Sequence, residues 1–147
     1  MKKLSAILLV SFLISLVVSC SIEPSKMAYG SDACHFCKMT IVDQQHAAQI
    51  VTKKGKSYKY DAIECMANHL KDFDTQKVSL FLVNDFDNPG VLIPASEASY
   101  LISPQIKSPM GANLTAFKSL QKANTLVKSE KDELLDWSEL LSSYKVH

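Results

Sequence analysis

Apolar residues fall along this chain in short bursts, and the period within each burst predicts an element. Ala48-Gln49-Ile50-Val51-Thr52 is short and β-branched, and Ser57-Tyr58-Lys59-Tyr60 alternates polar with aromatic residues, so both predict strands. Lys53-Lys54-Gly55-Lys56 separates them as a hairpin turn would, with Gly55 able to take positive φ. Met39-Thr40-Ile41-Val42 predicts a further strand upstream. After Tyr60 the period lengthens: Ile63, Met66, Ala67 and Leu70 share one helical face. Asp61, with Glu64 three residues later, fits a capping box at the start of that helix. Lys77 to Val83 is a strongly apolar strand, stopped by the turn-forming cluster Asn84 to Gly90.

A second stretch of similar size follows. Val91-Leu92-Ile93 and Ala98 to Ile102 are extended, and Ser103 to Pro109 is a loop. A helix is expected near Lys118 to Lys128, with Leu120, Ala123, Leu126 and Val127 as its apolar positions. Glu130 to Tyr144, carrying Leu134, Leu135, Trp137, Leu140 and Leu141, is expected to be one amphipathic helix. The two halves have comparable element orders and little residue identity, which raises an internal repeat without establishing it.

The first nineteen residues stand apart from this pattern. Lys2 and Lys3 precede the apolar run Ala6 to Val18, which has signal-peptide length and is short for a membrane span of about 20 residues. The run ends in Leu16-Val17-Val18-Ser19-Cys20, which has the form of a bacterial lipobox, so Cys20 is the expected lipidation site and acyl chains the expected anchor. Ser21 to Asp32, with Pro24, Ser25, Gly30 and Ser31, reads as a tether. The expected organisation is therefore signal 1–19, lipidated tether 20–32, a first unit 33–88 and a second unit 89–147. Ser21 after the lipid-bearing Cys favours outer-membrane sorting if the cell is Gram-negative; in any case the chain is expected on an extracytoplasmic membrane face.

The charge balance of 16 basic against 15 acidic residues becomes 14 against 15 once the signal, with its two lysines, is removed. That balance offers no attraction to nucleic acid. With Cys20 assigned to lipid, three thiols remain, an odd number that does not form a disulfide framework outside the cytoplasm.

Two of those thiols lie in Cys34-His35-Phe36-Cys37-Lys38-Met39. The C-x-x-C spacing serves either one metal ion or one disulfide. Thioredoxin-type pairs sit at a helix N-terminus, whereas Cys37 runs into β-branched residues, which disfavours thiol oxidoreductase chemistry. A structural zinc site is the stronger alternative, with Cys34, Cys37, Cys65 and His69 as C-x2-C…C-x3-H, although 27 residues separate Cys37 from Cys65. In that alternative the domain is an interaction module. Cys65 is equally readable as a small buried residue on the helix flank, and His69 as a surface residue. Thioethers suit Cu(I) and are of little use to zinc. Met39 points to the same side of an extended chain as Cys37, yet an isolated Met also fills cores. Met110, in the turn-forming Ser108-Pro109-Met110-Gly111, has little packing reason to be there. His35 is a lower-ranked ligand, and His46 is expected to face solvent. No set of catalytic residues is evident, so an enzyme is not expected.

Four spaced stretches together carry a resemblance: Cys34 to Ile41, Ala47-Ala48-Gln49-Ile50, Tyr60 to Met66, and Ser108 to Gly111 with Ala116-Phe117. In the same order and over nearly the whole mature chain, they resemble the NosL family of nitrous oxide reductase accessory lipoproteins. The resemblance implies a Cu(I) metallochaperone acting with the nitrous oxide reductase maturation machinery and a copper-accepting protein. It also implies an α+β fold of two related ββαβ units with antiparallel sheet. The family's C-x-x-C-G-M pattern falls on Cys34, Cys37 and Met39, and its P-M-G motif on Met110, with His35 and Cys65 as further candidates. This chain departs from the family in having Lys38 where Gly is usual, and Glu64 where Gly often precedes the helical Cys. A homodimer around the metal is left open.

Overall fold

The computed structural model describes residues 22–146; the expected signal peptide and Cys20 lie outside them. Two antiparallel sheets carry the fold. The first has the order β2-β1-β3-β4, built from β1 (Ala48–Thr52), β2 (Ser57–Tyr60), β3 (Val78–Asn84) and β4 (Leu92–Pro94). The second has the order β6-β5-β7, from β5 (Ser99–Ile102), β6 (Leu114–Phe117) and β7 (Glu133–Leu135). Helix α1 (Ile63–Leu70) connects β2 to β3, α2 (Leu120–Thr125) connects β6 to β7, and α3 (Trp137–Ser143) follows β7. The protein is α+β, and β1-β2-α1-β3 and β5-β6-α2-β7 are two ββαβ units. In each, the first strand lies between the other two.

The β1–β2 hairpin forms as its turn residues predict, with Gly55 at φ +78 and its N–H donating to Thr52 O at 2.8 Å. All five residues of β1 are buried, so this strand is covered on both faces. Helix α1 buries Ile63, Met66, Ala67 and Leu70 as its periodicity predicts. Full burial of side chains the size of Ile63, Met66 and Leu70 is worth about 1.5–3 kcal/mol each. One hydrophobic cluster runs from Ile50, Ile63 and Met66 in the first unit to Tyr100, Leu114, Ala116 and Leu140 in the second. A smaller cluster of Leu101, Phe117 and Ala123 lies under α2.

Several local expectations change once tertiary contacts are in place. Residues from Ser25 onward are not a free tether. Ser25 N–H donates to Gln49 Oε1 and Gln49 Nε2 donates to Ser25 O, both at 2.9 Å. Lys59 Nζ binds Lys26 O and Asp32 at 2.6 Å, and Asn84 Nδ2 donates to Tyr29 OH at 2.7 Å. Strand β4 pairs with β3 and joins the first sheet, so the first sheet extends past residue 88. Met39 to Val42 contributes only one bridge, Thr40 to Ala33. Glu130 to Tyr144 splits into β7, paired with β5, and α3. His46 is buried rather than solvent-facing, bonded to Asp43 at 2.9 Å and to Thr115 on β6 at 3.3 Å, so it stitches the two units together. Among the described residues no helix is long and apolar enough to cross a membrane.

Candidate metal centre

The sulfur motif is a tight hairpin. Lys38 N–H donates to Cys34 O at 3.0 Å and Cys34 N–H to Met39 O at 2.8 Å, closing the turn that Ala33 and Thr40 bridge below. The bond from Lys38 to Cys34 closes a single α-turn inside the hairpin that no helix continues, so the pair lacks the helix dipole that activates thioredoxin-type thiols. His35 N–H donates to Lys59 O at 2.8 Å, which fixes the hairpin against strand β2. The turn requires Lys38 at φ +67, a left-handed conformation that glycine adopts without strain. The family's usual Gly at this position has that geometric reason, and Lys38 meets the same requirement at a cost. Its ammonium folds back to donate to His35 O.

Helix α1 supplies the third thiol. Its N-cap is Ala62 in extended conformation with no side-chain cap, so the capping box expected of Asp61 and Glu64 does not form. Glu64 turns instead toward the loop before β6, where its Oε1 accepts from Ser108 Oγ and from Ala112 N–H at 3.3 Å. Cys65 is thereby set on the buried first turn of α1, opposite the Cys34 hairpin. The Sγ atoms of Cys34, Cys37 and Cys65 lie within 4.8 Å of one another, and all three thiols are free. Cys34 and Cys65 are 1% exposed, while Cys37 is half-buried and forms the accessible side of the cluster.

Proximity changes the acidity of these thiols unequally. Hydrogen bonding from the Cys65 thiol holds Cys34 well below the ordinary thiol value, with the Asp61 and Cys37 backbone N–H groups adding to the effect against the opposing cost of burial. The Cys37 N–H lies 3.5 Å from Cys34 Sγ. Cys65 is pushed up, first as the donor in that bond, and burial pushes Cys37 up. Of the three thiols Cys34 is therefore the most readily ionised, and Cys37 and Cys65 hold their protons more firmly. A soft cation can replace the two shared protons.

The two methionines are not core residues. Met39 is 53% exposed and Met110 42% exposed, so neither thioether fills a cavity in the protein interior. Pro109 and Met110 are the central residues of a turn in which Gly111 N–H donates to Ser108 O at 3.1 Å, with Gly111 at φ +81. Glu64 pins both sides of this loop, so Met110 is presented from a segment anchored to the residue immediately before Cys65.

His35 and His69 face each other with ring centroids 4.8 Å apart, inside a group completed by Tyr58, Tyr60 and Phe73. His69 is partly buried, and its Nδ1 is held by Tyr60 OH at 2.6 Å. That contact ties the ring to β2, and among the described residues the group close enough to share one ion comprises Cys34, Cys37 and Cys65 without His69, so the four-ligand zinc set does not assemble. Burial lowers the pKa of both imidazoles, with Lys38 and Lys56 reinforcing the effect on His35. This aromatic wall was not legible in the sequence; the alternation Ser57-Tyr58-Lys59-Tyr60 placed two of its rings on a strand but not beside the thiols.

The family model described as NosL matches residues 26–144. The copper-binding lipoprotein NosL of Stutzerimonas stutzeri is 29% identical over 128 residues, covering 82% of this chain and 67% of that protein. The crystal structure of the copper chaperone NosL from Shewanella denitrificans matches with a TM-score of 0.65 at 20% identity, over 79% of this chain and 96% of that one. At that identity the structural likeness is one of fold.

Proposed function

Because this chain belongs to the NosL family, we propose that it is an extracytoplasmic copper chaperone, lipid-anchored through Cys20, that carries Cu(I) for the maturation of nitrous oxide reductase. The observation that carries this reading is the convergence of Cys34, Cys37 and Cys65 within 4.8 Å beside a pinned loop bearing an exposed thioether. Cys34 supplies a thiolate, and Cys37, the accessible thiol, supplies the position through which the ion enters and leaves. Met110, with Met39 from the Cys34 hairpin, supplies thioether sulfur, which binds Cu(I) and discriminates against zinc. Cys65 acts first as the proton donor to Cys34 and is a further ligand once that proton is displaced. His35 lines the approach. A site of few, partly exposed ligands suits a carrier rather than an enzyme, because an acceptor ligand can bond to the ion before the donor ligands leave.

The test is an anaerobic titration of the lipid-free chain, residues 21–147, with Cu(I) and with Zn(II) against chelating indicators. Cu(I) bound far more tightly than by a free dithiol, with the fold retained on zinc removal, is the expected result. Unfolding on zinc removal, with Cu(I) no tighter than a free dithiol, would instead support a structural zinc domain. Maturation of nitrous oxide reductase is tested separately, by the copper content of that enzyme in cells lacking this protein.

A further inference from the structure

Next to the sulfur site the β1–β2 hairpin forms one side of a concave slot of about 490 Å3. Lys53, Lys54, Lys56 and Lys77 ring it, and Tyr58 and Phe73, with centroids 5.5 Å apart, form its floor. The floor is continuous with the metal centre: Tyr58 lies 4.6 Å from the His35 ring and Phe73 5.0 Å from the His69 ring. Lys56 Nζ sits 4.6 Å above the Tyr58 ring. Lys77 is partly neutralised by Asp74 at 3.2 Å, but among the described residues no carboxylate pairs with Lys53, Lys54 or Lys56. A protein whose charges otherwise nearly balance thus concentrates unpaired, solvent-exposed cations around an apolar floor, an arrangement that attracts an anion.

We propose that this slot docks an acidic segment, bearing an apolar side chain, of the protein that exchanges copper with this chain. The proposal rests on the copper-carrier reading for the partner's identity. The lysines supply attraction and orientation, the aromatic floor takes the apolar side chain, and the docked segment ends at His35, on the accessible side of the thiols. A flat bilayer can meet the lysine tips but cannot fill an aromatic-floored slot, so a protein segment is the better fit.

The experiment uses the metal-free mature protein and a short peptide of acidic residues flanking one phenylalanine, followed by NMR. Shifts centred on residues 52–58, Phe73 and Lys77 and reaching His35 are expected, lost in about 0.5 M salt, where screening is nearly complete beyond a few ångströms. The variant Lys53→Glu, Lys54→Glu, Lys56→Glu should bind the peptide at least about tenfold more weakly. Absence of peptide binding overturns the proposal, as does equal binding by the variant. Binding to phosphatidylglycerol vesicles but not to the peptide would identify a headgroup surface instead. Cu(I) titration of the same variant should match the unaltered protein, so loss of copper binding by both would defeat the carrier reading independently of the docking result.

Discussion

The two ββαβ units share one topology but are put to different uses. In the first, α1 buries six of its eight residues and carries Cys65 on its inner face. In the second, α2 has six residues and buries only Ala123, with Leu120 at 51% exposure. Among the described residues every free thiol belongs to the first unit or to the hairpin leading into it, and the second unit contributes the loop that presents Met110. The comparison teaches that the repeat fixes positions rather than chemistry. A deeply packed helix can hold a thiol still and desolvate it, while a loop between strands of a looser unit can offer a ligand that leaves.

The contrast is broken most severely at Cys34. Changing Cys34→Ser removes the buried thiolate and is expected to weaken Cu(I) by on the order of a hundredfold, or about 2.7 kcal/mol, in a competition titration. The same titration run against pH sharpens the roles of the thiols. Cys34 lies below and Cys37 above the ordinary thiol value, so of this pair Cys37 is the one whose proton the ion must displace as pH falls. If Cys34 and Cys37 alone bind the ion, affinity rises with pH toward the Cys37 pKa by at most about tenfold per unit, with one proton released per ion. Two protons released would mean that Cys65 also joins as a thiolate.

Next in size is the link between the units. Glu64→Ala removes the acceptor for Ser108 and Ala112 and leaves those donors unpaired in a part-buried setting. The expected loss of stability is about 2 kcal/mol by denaturant unfolding, with a weaker Cu(I) affinity because the Met110 loop loses its anchor. Met110→Leu keeps the size of an exposed side chain, so stability should hold while Cu(I) affinity falls by about tenfold. The smallest effect has the opposite sign. Lys38→Gly relieves a left-handed residue and should raise stability by about 1 kcal/mol in the same unfolding assay, with Cu(I) affinity unchanged.

Much of the frame was legible because it depends on local pattern. The strands around Gly55, the buried face of α1 and the apolar strand after it follow from periodicity and turn chemistry. What misled was a repeated local signal. Asp61 and Glu64 show the same D-x-x-E spacing as Asp136 and Glu139, yet only the second pair forms a capping box. At the first, Glu64 is drawn into a contact 44 residues away, which no window could reveal. The true box at Asp136 was the available signal that the last helix begins after β7 rather than at Glu130. The C-x-x-C turn and the unusual Met110 could be singled out by residue type. The place of Cys65 against Cys34, the burial of His46 and the fastening of residues 25–32 depend on tertiary pairing alone.

In the proposed site one Cu(I) ion is held by sulfur from both units, with Cys34 and Cys37 on one side and Met110 on the other. X-ray absorption at the copper edge of the Cu(I)-loaded protein, compared with its Met110→Leu variant, tests this most directly. A Cu(I) edge with a sulfur-dominated shell that loses one sulfur scatterer in the variant is expected. Identical spectra and identical affinity for the two proteins would contradict it and confine the site to the three thiols of the first unit.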